Sequence, residues 1–164
     1  MEAILQETNA AFYFDPEGYT TAGPKLMGRQ AAGEGFLRGF LRHAQVDAYY
    51  CFAPGRTAAQ SFARLCEECA PAGRPVRCVT CEELSRPSET GTLFLPVPGL
   101  GAMAWRRRRV GPRQFSLCGV THTIASHAAM DSLAELLAAP VEPWDALICT
   151  SRAVLDAVAK LLDG

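Results

Sequence analysis

The chain has 164 residues, a length that fits one domain or one lobe of a larger enzyme and leaves little room for two. Apolar residues make up 49% and charged residues 20%, so disorder, collagen-like repeats and a disulfide-stapled mini-protein are poor readings. Sixteen basic against 17 acidic residues give a formal net charge of −1, which argues against a dedicated nucleic-acid binder while leaving a local basic patch open.

The first residues, Met1 to Glu7, lack the basic region and long apolar stretch of a signal peptide. No apolar run reaches the ~18 residues of a membrane-spanning helix, and the stretch from Gly91 to Trp105 is interrupted by Pro96 and Pro98. Seven cysteines, an odd number, are scattered along the chain. Without a secretory signal they read as reduced thiols of a cytoplasmic protein.

In chain order, Ala10–Phe14 is an aromatic-rich strand candidate. The span 15–28 holds Gly18, Gly23, Pro24 and Gly28 and reads as a long loop. Gln30–His43 places Phe36, Leu37, Phe40 and Leu41 at helical spacing. Ala48–Ala53 is a buried-strand candidate, and Thr57–Ala70 is a helix with Ala58, Phe62, Leu65 and Cys69 on one face. Strands follow at Val76–Thr80 and Thr92–Val97, then an ambiguous helix at Gly101–Arg109. Phe115–Thr121 is a strand, and Ser126–Ala138 is a helix with Met130, Leu133, Leu136 and Leu137 expected inward. Trp144–Cys149 is the last strand. Ser151–Leu162 is the last helix, with Val154, Val158 and Leu161 in a stripe and Thr150 or Ser151 as N-cap.

Alternating strands and helices signal crossover units on a parallel sheet. Near-continuous apolar strands such as Ala48–Ala53 imply burial on both faces. The expected fold is a single doubly wound α/β domain over 1–164: a mainly parallel sheet flanked by helices in three α/β/α layers. Ligands of such sheets bind beyond the carboxyl ends of the strands. The segments to inspect are therefore 15–29, 53–56, 98–101, 122–126 and 150–152.

Two Cys-x-x-Cys pairs, Cys66/Cys69 and Cys78/Cys81, are separated by eight residues. Four thiolates suit a structural zinc. However, the first pair lies in a helical pattern and Cys78 in a strand, not on glycine-bearing turns. They read as reduced structural thiols and no metal is expected, with a metal or redox site as the alternative. The run Gly33-Glu-Gly35-Phe-Leu-Arg-Gly39 resembles a dinucleotide fingerprint. It follows no apolar strand directly, and no acidic residue ends a second strand at the required distance. Small residues that let a helix approach other backbone are the better account, and no cofactor is expected.

In the preceding loop, Gly23 and Gly28 could turn backbone N–H groups toward an anion while Lys25 and Arg29 add charge. A loop with solvated charges is the equal alternative. The block Arg106–Arg109 reads as a solvated face, with phosphate or anionic-headgroup binding as the alternative.

His122 is the sharpest single residue. It follows the apolar strand directly, among Thr121, Thr123 and Ser126, where an imidazole can donate to a substrate hydroxyl or act as acid or base. The competing reading is a histidine bonded to a loop carbonyl. His127 reads as a surface or cap residue, and His43 as a complement to a helix dipole. Thr150, Ser151 and Arg152 stand where a strand turns into a helix N-terminus, an anion-binding position. Capping explains Thr150 and Ser151, but a cation at that end opposes the dipole. No nucleophile elbow, phosphate-binding Walker loop or paired-His metal motif is present.

The segment FSLCGVTHTIAS, followed by a helix and then WDALICTSRAVLDAVAKLL, resembles the amino-terminal lobe of retaining glycosyltransferases of the two-lobed GT-B type. It is most similar to the sugar-nucleotide-dependent family 4-like group that includes relatives of sucrose and glycogen synthases. The likeness is fair over 115–162 and loose over 19–53. It implies a Rossmann-like lobe that mainly binds acceptor, with His122 contacting a hydroxyl of the donor sugar. Gly23, Lys25, Gly28, Arg29, Thr121, Thr123, Ser151 and Arg152 would serve as substrate-binding residues. It further implies a nucleotide-sugar donor, an unknown acceptor and a carboxyl-terminal donor-binding lobe. The chain ends just after its last helix, so an isolated amino-terminal domain, inactive in hexosyl transfer by itself, is expected. A non-catalytic α/β ligand-binding or interaction module is the first alternative, and a small reductase or hydrolase the second.

Overall fold

The computed structural model describes residues 9–20, 28–80 and 89–163. Six strands form one sheet: β1 (Ala11–Tyr13), β2 (Tyr49–Ala53), β3 (Val76–Thr80), β4 (Thr92–Phe94), β5 (Ser116–Thr121) and β6 (Ala146–Cys149). Their order is β3-β2-β1-β4-β5-β6, and every pairing is parallel. Among the described residues five α-helices accompany them: α1 (Gly28–His43), α2 (Arg56–Cys69), α3 (Gly101–Val110), α4 (His127–Ala134) and α5 (Arg152–Leu162). This is the three-layer α/β/α, Rossmann-like arrangement.

The strand order dictates the layers. From β1 the chain steps outward to β2 and β3, and from β4 it steps the opposite way to β5 and β6. Right-handed crossovers then put the helices of the two halves on opposite faces. The period-two alternation of the strands divides the core accordingly. Phe12, Cys51, Phe94 and Val120 join Leu37 and Leu41 of α1 and Phe62 of α2. Their neighbours Ala11, Phe52, Leu93 and Leu117 join Met103 of α3, Leu133 of α4 and Val158 of α5. Phe62 is fully buried, a placement that stabilises by about 1.5–3 kcal/mol.

Local chemistry sets the element ends. β1 and β4 are shorter than their apolar runs. Beyond β4 one further ladder bond forms, Leu95 N to Cys118 O at 2.8 Å, before Pro96 and Pro98 withdraw the donors. α3 ends at Gly111, whose φ of 124° lies in the region glycine tolerates. Gly33 permits α1 to seat closely, since a Cβ there would fall 2.4 Å from Gly18 O. That is the close approach expected of the glycine-rich run, although Gly35 and Gly39 have open space around them.

Two expectations are corrected. The helix expected over Ser126–Ala138 is α4 followed by a 3-10 turn at Glu135–Leu137. Three residues per turn keeps Leu136 in line with Leu133, and both are buried. Leu137 swings out to 61% exposure, and Met130, at the edge of that face, is 38% exposed. The second correction is Arg107, which is 1% exposed rather than part of a solvated block. It shares the inner face of α3 with Met103 and Ala104. Its guanidinium donates to Asp145 Oδ1 (2.5 Å) and Oδ2 (2.7 Å), to Phe115 O (3.0 Å) and to Pro140 O (3.3 Å). Asp145 also accepts from Leu117 N (2.7 Å) and Glu142 N (2.8 Å). The network ties α3 to the amino-terminal ends of β5 and β6.

Candidate functional site

The strand order reverses between β1 and β4, which leaves a crevice beyond their carboxyl ends. A cleft of about 770 Å³ opens at this rim, between Gly28, Arg29 and Ala32 of α1 and His122, Thr123, Ser126 and Thr150. A narrower pocket of about 130 Å³ adjoins it, reaching under Pro96, Val97 and Pro98 to Ser132. Gly119 brings the β4 exit close to β5: a Cβ there would meet Val97 O at 2.8 Å, and Val120 N donates to that oxygen at 3.3 Å.

His122 follows β5 directly. Val120, two residues earlier, packs on the α1 side, and the alternation carries the imidazole to the same side, where it lines the cleft. Burial pulls its pKa below the ordinary 6.5, so at neutral pH the ring is uncharged, with one nitrogen donating and the other accepting. Nε2 is buried and has no hydrogen-bond partner among the described residues. An unsatisfied buried polar atom costs about 1–3 kcal/mol.

Thr121 faces the other way. It is fully buried, and by alternation it lies on the side of Leu117, behind the cleft wall. Its Oγ1 also lacks a partner, while its carbonyl accepts from Thr150 Oγ1 at 2.9 Å. That bond ties the exit of β6 to the exit of β5. Thr123 lines the cleft, and its Oγ1 accepts from Ala125 N at 3.1 Å. Ser126 caps α4, accepting from Ala129 N at 3.2 Å. Arg29 is exposed at the second position of α1, where a cation opposes the helix dipole. Helix stability therefore does not account for it.

Of the sequence-derived candidates, Gly28, Arg29, His122 and Thr123 come together. Ser151 and Arg152 are exposed at the start of α5 and are not among the residues lining the cleft. Ser151 Oγ accepts from Val154 N at 3.2 Å, so capping accounts for it. Gly23 and Lys25 lie outside the described residues. Pro96, Ala32 and Ser132 escaped the sequence reading. Pro96 stood in a predicted strand, although its missing N–H was the signal that the strand had ended.

The cleft therefore offers a neutral imidazole, a guanidinium and hydroxyls. Among the described residues no carboxylate lines it. Among the described residues no cluster of three or more His, Cys, Asp or Glu could hold a metal ion, and no helix is long and apolar enough to cross a membrane. Comparison with protein families, characterised proteins and solved structures finds no match for this chain.

Proposed function

We propose that this domain is the acceptor-side lobe of a two-lobed glycosyltransferase, a hexosyltransferase that moves a sugar from a nucleotide-sugar donor to an acceptor. The observation that carries the reading is His122, which lines an open cleft at the switch point of the sheet and whose buried Nε2 has no partner among the described residues. A neutral imidazole there is suited to a sugar hydroxyl, and Arg29 is suited to an anionic group of donor or acceptor. The remaining donor contacts and the charge stabilisation of the leaving diphosphate fall to a carboxyl-terminal lobe. Closure of the two lobes would exclude water. The reduced cysteines fit a cytoplasmic setting.

The test is sugar transfer by the whole gene product with a panel of nucleotide sugars. His122→Ala should lower turnover by about 10²-fold or more, as expected for a lost transition-state hydrogen bond, with the fold retained by circular dichroism. Turnover within twofold of the parent rejects the role of His122. A second reading is a non-catalytic ligand-binding module, since Gly28, Arg29, His122 and Thr123 line one open cleft and such a lining serves binding without turnover. That reading predicts saturable binding of a phosphate- or hydroxyl-rich ligand with no turnover by the whole gene product.

A further inference from the structure

Several cysteines gather around α2 and the β2–β3 pair. Cys51 of β2 and Cys78 of β3 are register partners in neighbouring parallel strands, and residues so paired share a face. Cys51 packs with Ala58, Phe62 and Cys66 of α2, and Cys78 Sγ lies 3.6 Å from Ala59 O of the same helix. Neighbouring strands lie about 4.7–4.9 Å apart, inside the Cα window of about 4.4–6.8 Å that a disulfide requires. β3 is an edge strand. Cys78 is accordingly exposed, while Cys51 has no exposed surface.

We propose that Cys78 is a peroxide-reactive modification site and that Cys51 resolves it into a cross-strand disulfide. The Cys78 thiolate attacks one oxygen of hydrogen peroxide. The O–O bond breaks, the sulfur becomes a sulfenic acid, and the leaving hydroxide takes a proton to become water. The Cys51 thiol, losing its proton, attacks the Cys78 sulfur, the S–O bond breaks, and the hydroxyl leaves as a second water. Two thiols are oxidised and one peroxide is reduced.

Chemical contrast among the thiols supports this choice. A hydrogen bond with Cys51 holds the Cys78 thiol below its ordinary pKa and outweighs the opposing effect of burial. The contact with Ala59 O is that of a weak S–H donor. Cys66, on the same face, is pushed up to about 12, by burial first and then by its neighbours Cys78 and Cys69. It therefore stays protonated and is a poor nucleophile. Exposure, a lowered pKa and an adjacent resolving thiol are the combination that marks redox-sensing cysteines.

The experiment treats the reduced chain with stoichiometric hydrogen peroxide, alkylates the remaining thiols and maps the peptides by mass. The expected product has lost two hydrogens and contains a peptide joining Cys51 to Cys78. Cys78→Ser should abolish it, and Cys51→Ala should leave Cys78 as a sulfenic acid trapped by dimedone. The proposal is overturned if Cys78 remains alkylatable. It is equally overturned if the cross-link joins Cys78 to Cys66 or to Cys81, which lies outside the described residues. The wild-type map and the exposed Cys78→Ser variant decide the matter even if Cys51→Ala folds poorly. No sugar transfer is read, so this test and that of the proposed function fail independently.

Discussion

Replacing Asp145 with alanine removes the acceptor of four hydrogen bonds, two from Arg107 and one each from Leu117 N and Glu142 N. The Arg107 and Asp145 side chains are 1% and 4% exposed, so water cannot stand in for the lost carboxylate without opening the packing around α3. Breaking a buried pair from one side costs about 3–5 kcal/mol, because the remaining charge is left uncompensated. Domains of this kind are stable by about 5–15 kcal/mol, so Asp145→Ala should remove a large share of the total. Urea unfolding followed by circular dichroism at neutral pH reads this directly. At a slope of about 2 kcal/mol per molar urea, the midpoint should fall by about 1.5–2.5 M. Arg107→Met should cost a similar amount. The Arg107→Met/Asp145→Ala double variant buries no charge and leaves only backbone groups unpaired. Its loss should fall short of the summed single losses by about 1–3 kcal/mol. Arg106→Ala and Arg109→Ala, both at exposed positions, should stay within about 0.5 kcal/mol of the parent. Single losses below about 1 kcal/mol, or strict additivity in the cycle, would refute the assignment of Arg107 and Asp145 as a buried, mutually dependent pair.

Two further outcomes are expected. Because burial lowers the His122 pKa below 6.5, the folded state binds fewer protons than the unfolded chain as pH falls through that value. The stability tied to the neutral ring is then present above the unfolded pKa and is lost as pH drops through the folded one. An NMR titration should place the His122 midpoint below the ordinary value, and His122→Gln should show a shallower decline of stability in mild acid. A midpoint at or above the ordinary value contradicts the burial argument. At Gly33, where a Cβ would lie 2.4 Å from Gly18 O, Gly33→Ala should destabilise by about 1–3 kcal/mol. Gly35→Ala, with open space, should be neutral or stabilising by up to about 1 kcal/mol. Equal thermal midpoints for the two variants would contradict the close approach of α1 to the β1 exit.

Much of the fold was legible because it rests on local periodicity. Apolar strands such as Tyr49–Ala53 alternate with helices whose inner residues recur every three to four positions, and that pattern by itself specifies a parallel α/β sheet. It also placed His122 just past a strand, at the rim where such sheets bind ligands. Strand order was not legible. Nothing local to β4 says that it adds beside β1 rather than beside β3, yet that choice creates the crevice and brings Arg29 of α1 opposite His122. The Arg107–Asp145 pair was equally hidden, since its members stand 38 positions apart and Arg107 sits among three exposed arginines of the same type. The thiol register of Cys51 and Cys78 depends on which strands become neighbours. Sequence periodicity determined which residues turn inward, because burial follows the rotation of each element. Only the tertiary structure decided which inward or rim-facing groups meet, because those encounters depend on long-range strand pairing.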